Sequence, residues 1–226
     1  GSATGTVLID KSGSNTKVNP DFLPTKTVLD LYDQTNDLRF AAYFKKGSMN
    51  FSSGSPQLYY CSKYPGNPLY CTGNTQFINA PKILRIAEMY LILAEAYKES
   101  NDETNALSYL NALRSKRIAG YTDQTYSGTA LTNEIRKERQ RELYMEGYRL
   151  WDLKRYGIGL SGRTPQDGTY VYQNGGANST EISKEASDFR FVWPIPQNEL
   201  DAPGSDIQPN EINANPQMKD QQNEGY

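Results

Sequence analysis

The longest run of helical periodicity lies between residues 83 and 120. Ile83, Ile86, Ala87, Tyr90, Leu91, Leu93, Ala94 and Tyr97 recur at steps of three and four, the spacing that lays one apolar face along an α-helix. The pattern stops near Ser100-Asn101, and Asp102 then stands where a helix N-cap is expected. Ala106, Leu107, Leu110, Leu113 and Ile118 follow on one face and close at Ala119-Gly120. Two such helices joined by a tight turn make an antiparallel hairpin. The small residues Ala87, Ala94, Ala96, Ala106 and Ala112 permit the close helix contact of a tetratricopeptide unit, of which one is visible. A third helix is expected over 131–145, with Gly147 breaking or bending it before a short continuation to Tyr156.

Outside residues 83–156 the pattern is weaker. Residues 1–19 are rich in Gly, Ser, Thr and Asn around the apolar island Val7-Leu8-Ile9, which predicts an extended lead-in. Thr25 is placed to cap a short helix carrying Val28, Leu29 and Leu31 and ending near Asp33. The alternation from Phe40 to Phe44 suggests a strand. Between 45 and 80, aromatic residues are scattered among Gly, Pro, Ser and Asn without a lasting period, so this segment reads as one long loop of the kind that often carries binding. Residues 157–226 are turn-rich, and Pro194, Pro196, Pro203, Pro209 and Pro216 exclude a long helix there. The expected fold class is therefore mainly α: a tetratricopeptide-like helical hairpin and further helices with long irregular loops, in a single region spanning 1–226.

Chemistry narrows the reading further. The chain has no His, which removes the commonest general base and zinc ligand together with every Ser-His or Cys-His dyad. No phosphate-binding Gly loop and no Cys or His metal cluster is visible, so no cofactor and no metal is expected. Paired acids such as Asp33 with Asp37 or Glu142 with Glu146 could in principle serve a glycosidase. Acids four apart on a helix are far more often solvated or ion-paired. Glu138, Arg141, Glu142, Glu146, Arg149, Asp152 and Arg155 step by three and four residues, a charged stripe read as structural. A net charge of −2 argues against a nucleic-acid partner, which demands clustered cations. Cys61 and Cys71 are close enough in sequence to form a disulfide, or to remain as two separate thiols.

The 17 Tyr point toward a neutral, polar ligand. A pyranose offers apolar C–H faces to an aromatic ring and hydroxyl edges to an amide. On that chemistry the ligand-binding candidates are Tyr59, Tyr60, Tyr64 and Tyr70 for stacking, with Asn67 and Asn74 for hydrogen bonding. Some of these rings would instead anchor the loop to the helices. The competing reading is a helical protein-interaction module without a ligand site of its own.

Four ordered segments resemble the C-terminal half of the SusD/RagB family. They are Arg85-Ile86-Ala87-Glu88-Met89-Tyr90-Leu91-Ile92-Leu93-Ala94-Glu95-Ala96, then Glu138-Arg139-Gln140-Arg141-Glu142-Leu143, then Glu146-Gly147-Tyr148-Arg149-Leu150-Trp151-Asp152-Leu153-Lys154-Arg155, and finally Pro194-Ile195-Pro196-Gln197-Asn198-Glu199-Leu200. The earlier Leu29, Leu31, Tyr32 and Asp37-Leu38-Arg39 also fit. The resemblance implies a non-enzymatic, lipid-anchored outer-membrane protein of Bacteroidetes that faces the outside and binds a glycan or other nutrient. It further implies a SusC/RagA-type TonB-dependent transporter as partner. Such proteins carry roughly as much chain again ahead of the matching region, including the lipidated Cys, so a fragment is expected here. Glu224 stands where the family usually has Pro, and residues 204–210 lengthen the approach to it.

Overall fold

The computed structural model describes residues 22–49, 51, 54–65, 69, 79–80, 82–170, 183–202 and 207–209. The chain divides into two compact units, one holding residues up to Arg149 with those from Gly162 to Ile182, the other Leu150–Ser161 with the residues from Ser183 onward.

The first unit begins with α1 (Lys26–Leu29), capped by the Thr25 hydroxyl on the Val28 amide. It is shorter than the periodicity suggests. Turns continue to Asp33, whose carboxylate takes the Thr35 and Asn36 amides at 3.0 Å each. Next comes α2 (Leu38–Tyr43), where a strand was expected. Asp37 caps it by accepting the Arg39 amide, and a capped turn overrides the weak alternation. Only Phe44 of that run is extended. It opens β1 (Phe44–Ser48), which pairs antiparallel with β2 (Gln57–Cys61) in the register Phe44↔Cys61, Lys46↔Tyr59 and Ser48↔Gln57. Regular structure thus occupies part of the expected 45–80 loop. Leu58 and Tyr60 of β2 are buried on one face, but Tyr59 between them is itself aromatic and Cys61 is buried too, so no polar alternation marks the strand in the sequence. Cys61 is a buried free thiol, while Cys71 lies outside the described residues.

The outer edge of β2 is closed by a side chain. Gln166 Oε1 accepts from the Tyr59 amide at 2.8 Å, and its Nε2 donates to the Tyr59 and Pro24 carbonyls at 2.8 Å each. One carboxamide thereby meets both main-chain groups that a third strand would satisfy. Gln166→Ala is expected to destabilise by about 1–3 kcal/mol, since it leaves half-buried donors and acceptors unpaired. It should also speed hydrogen exchange at the Tyr59 amide. Unchanged exchange there would refute the edge-closing role.

The helical part follows the predicted order. α3 (Ile86–Glu99) and α4 (Glu103–Arg114) are joined at Asn101, whose φ of 62° supplies the left-handed turn that Asn tolerates. Asp102 caps α4 through the Asn105 amide at 3.1 Å. Ala94, near the end of α3, clusters with Ala106 near the start of α4, while Ala87 and Leu91 cluster with Leu113. The pairing is therefore antiparallel. α5 (Gly128–Glu142) inserts Leu131 and Ile135 into the first cluster. The apolar face foreseen for α3 needs correction: Ala87, Leu91 and Ala94 are buried, but Ile83, Ile86 and Leu93 are exposed. α3 is apolar on more than one side.

The second unit contains most of α6 (Arg149–Tyr156), a 3₁₀ turn (Phe189–Phe191) and α7 (Gln197–Leu200). Leu160 and Lys184 form a two-way backbone bridge at 2.8 and 2.7 Å. Gly159 lies against the Lys184 carbonyl, where a Cβ has no room. Arg155 pairs with Asp152 at 2.9 Å.

Candidate functional site

The charged stripe of α5 is interior. Glu138 and Glu142 are both 0% exposed, and each is met by several guanidinium groups. The Arg39 fork grips Asp37 through Nε and Nη2 at 2.9 and 2.8 Å, while its Nη1 reaches Glu138 at 2.6 Å and Glu142 at 2.9 Å. Glu142 accepts further bonds from Arg85 Nη1 at 2.8 Å and from Arg117 Nε and Nη2 at 2.9 and 3.0 Å. Arg141 holds the other oxygen of Glu138 at 3.0 Å and donates to the Leu31 carbonyl at 2.9 Å. Burial works against ionisation of Glu142, yet the Arg117 hydrogen bonds and the Arg39 charge outweigh it and bring the carboxyl down to about 2. Burial likewise opposes ionisation of Glu138, and Arg39 and Arg141 still hold its carboxyl below the usual range.

This cluster fixes the base of the aromatic segment. After α5, residues 143–147 turn sharply, with Met145 at φ 59° and Gly147 at φ 85°. Lys63 Nζ donates to the Tyr144 carbonyl at 2.7 Å and to Glu146 at 2.5 Å. The Tyr64 hydroxyl donates to the Met145 carbonyl at 2.5 Å. Arg85 reaches the same Glu146 carboxylate through Nε at 3.0 Å and the Glu142 carbonyl at 2.9 Å. Both flanks of the segment between Tyr64 and Arg85 are therefore fastened to one turn. Sequence reasoning assigned the acids of α5 to structure but missed the partners Lys63, Arg85 and Arg117. Single cations set among apolar neighbours, as in Ile83-Leu84-Arg85-Ile86, are the signal that could have found Arg85.

The candidate ligand residues fare differently. Tyr60 is 7% exposed and packed with Met49, Leu58 and Cys61, so its ring offers no face to a ligand. Tyr59 is half-buried: its ring meets Phe40 edge-on at 5.3 Å, and Lys46 Nζ lies 5.3 Å from its centroid. Tyr64 is half-buried against the same cluster as Tyr60, and burial pushes its hydroxyl up to about 12. Asn79 Nδ2 donates to the Tyr64 carbonyl at 3.4 Å. Asn67, Tyr70 and Asn74 lie outside the described residues. The paired acids weighed for hydrolysis are otherwise engaged. Asp33 holds turn amides, Asp37 grips Arg39, and Glu142 and Glu146 share Arg85. Among the described residues no group of three acids or cysteines is arranged to hold a metal ion.

Residues 32–226 match the SusD family. The chain belongs to the SusD family. A curated SusD-like protein of Formosa agariphila is 31% identical over 121 residues, covering 52% of this chain and 21% of that protein. A crystal structure of a SusD superfamily protein from Bacteroides thetaiotaomicron superposes with a TM-score of 0.66 at 31% identity, over 82% of this chain and 40% of the other. A SusD-like carbohydrate binding protein from Bacteroides vulgatus gives 0.51 at 26% identity, over 61% of this chain and 28% of that one. This SusD-family chain thus spans well under half the length of these relatives. The match takes in Tyr32, Arg39, Glu138 and Glu142, so the buried ion cluster lies inside the family region.

Proposed function

We propose that this SusD-family protein is a non-catalytic glycan-binding subunit at the cell surface. In this reading it is lipid-anchored to the outer membrane in its full-length form and delivers ligand to a SusC/RagA-type TonB-dependent transporter. The observation that carries the reading is the double fastening of the segment between Tyr64 and Arg85, which holds Tyr70, to the 143–147 turn by Lys63, Tyr64 and Arg85. A recognition segment held at both ends loses less conformational freedom on binding, which favours affinity for a flexible, well-hydrated sugar. The 26% identical neighbour described as a carbohydrate binding protein supports the ligand class. Tyr70 supplies a stacking ring, with Tyr64 beside the anchor. Asn67 and Asn74 direct hydrogen bonds to hydroxyls. Tyr59 contributes at most an edge, and Tyr60 supports the fold rather than the ligand.

Native gels cast with individual polysaccharides test this. At least one polysaccharide is expected to retard the wild-type protein, and Tyr70→Ala should weaken that retention about tenfold or more. Migration unaffected by every polysaccharide would count against the glycan reading. Equal retention of wild type and Tyr70→Ala would remove Tyr70 from the site.

A further inference from the structure

The chain as a whole is slightly acidic, with a net charge of −2, but one stretch reverses the sign. From Arg149 to Arg163 it carries four cations, Arg149, Lys154, Arg155 and Arg163, against a single acid, Asp152. All four cations are exposed, whereas Asp152 is buried and held by Arg155 Nε at 2.9 Å. A large ring stands among them. Trp151 of α6 is 61% exposed, and Lys154 and Arg155 follow it at the three- and four-residue steps that put side chains on one helix face. The other side of the helix is fixed by Asp152 and Leu153, both buried. Lys154 Nζ lies 5.3 Å from the centre of the Trp151 ring. An exposed cation–π contact of this kind contributes only about 0.5–1 kcal/mol. A ligand that offers the ring an apolar face and the ammonium a full negative charge therefore replaces it at a gain.

We infer that the outer face of α6 binds an acidic sugar residue, a uronate or a sulfated pyranose, through side chains other than those of the segment between Tyr64 and Arg85. The inference rests on the glycan reading and adds to it the charge class of one sugar. The C–H face of the pyranose stacks on Trp151, and Lys154 meets its carboxylate or sulfate. Arg155 is the lesser partner, because Asp152 already offsets part of its charge. The small footprint favours a sugar over a larger anionic partner. The exposed positions of α6 are Arg149, Trp151, Lys154 and Arg155, so the helix shows one apolar residue, whereas a helix lying on a membrane presents a broad apolar face. A protein partner likewise needs an extended patch, on the order of 800 Å² from each side. A neutral pyranose can stack on the same ring but leaves the ammonium unanswered.

Equilibrium binding to immobilised polysaccharides tests this, with polygalacturonate, a sulfated galactan and neutral dextran as probes. At least one of the two acidic polymers is expected to bind more tightly than dextran, and which one binds separates carboxylate from sulfate. Raising the salt from about 50 to about 300 mM should weaken that binding several-fold. Trp151→Ala and Lys154→Gln should each weaken it about tenfold, with thermal midpoints unchanged because both side chains are exposed. Acidic-polymer binding that both variants retain in full would overturn the inference, as would dextran binding at least as tight; either result leaves the glycan reading standing. Anionic phospholipid vesicles bound through Trp151, with neither acidic polymer bound, would also overturn it and make α6 a membrane face. Failure of every polysaccharide, in this assay and in the native gels, would remove both readings.

Discussion

Arg39→Met is expected to destabilise the protein by about 3–5 kcal/mol, because it strips one shared cation from three buried carboxylates at once. Asp37 would lose a two-pronged partner at 2.9 and 2.8 Å, and Glu138 and Glu142 would each lose a bond of 2.9 Å or less. Methionine fills much of the arginine volume, so the loss reports uncompensated charge rather than an empty cavity. The reference is Lys26→Met, which breaks an ion pair whose partners are 57% and 50% exposed and should cost less than about 1 kcal/mol. Urea denaturation followed by circular dichroism measures both. Similar midpoint shifts for the two variants would mean that the interior cluster contributes no more than a solvated pair.

The second large effect is acid sensitivity. In an unfolded chain a Glu carboxyl titrates near ~4.3, whereas in the folded protein Glu142 is held at about 2. The folded state binds its proton less readily, so the stabilisation is fully present above the unfolded value and is lost as pH falls from about 5 toward 2. For Glu142 alone this is on the order of 3 kcal/mol. Glu138, lowered for the same reason, adds to the loss. Urea midpoints between pH 7 and pH 3 should fall steeply for the wild type. Glu142→Gln starts lower and falls less, since it has surrendered that titration. Parallel acid limbs for the two proteins would show that Glu142 does not govern the transition.

How far the fold was legible depended on where its determinants sit. The α3–α4 hairpin could be read because its cap, its turn and both apolar faces lie within about thirty residues of one another. The α2 helix could not. Its cap, Asp37, looks like any surface acid until Arg39 folds back onto it, and the partners of Arg39 on α5 are about a hundred residues away. β2 was missed for a related reason: its burial alternates from Gln57 to Tyr60, but the half-buried Tyr59 is as aromatic as the buried Tyr60, so the residue types show no period of two. The same burial takes Tyr60 out of the candidate site. Composition identifies a ring as suitable for a sugar without telling which side of a strand it occupies. The exposed Ile86 and Leu93 were absorbed into the predicted core face, because a helix that is apolar on two sides gives one broad signal.

The distance along the chain between the members of the ion cluster also sets an order of assembly. Arg39 and Glu138 are 99 residues apart, so at ordinary rates of synthesis roughly 5–20 s separate their appearance. Throughout that interval Arg39 has Asp37 as a local partner but neither glutamate. The α3–α4 hairpin, whose contacts are local, can form as soon as residue 114 has emerged. The hairpin contacts are thus available to the nascent chain before Glu138 and Glu142 exist, whereas the bonds of Arg39 to those glutamates cannot form until α5 has been made.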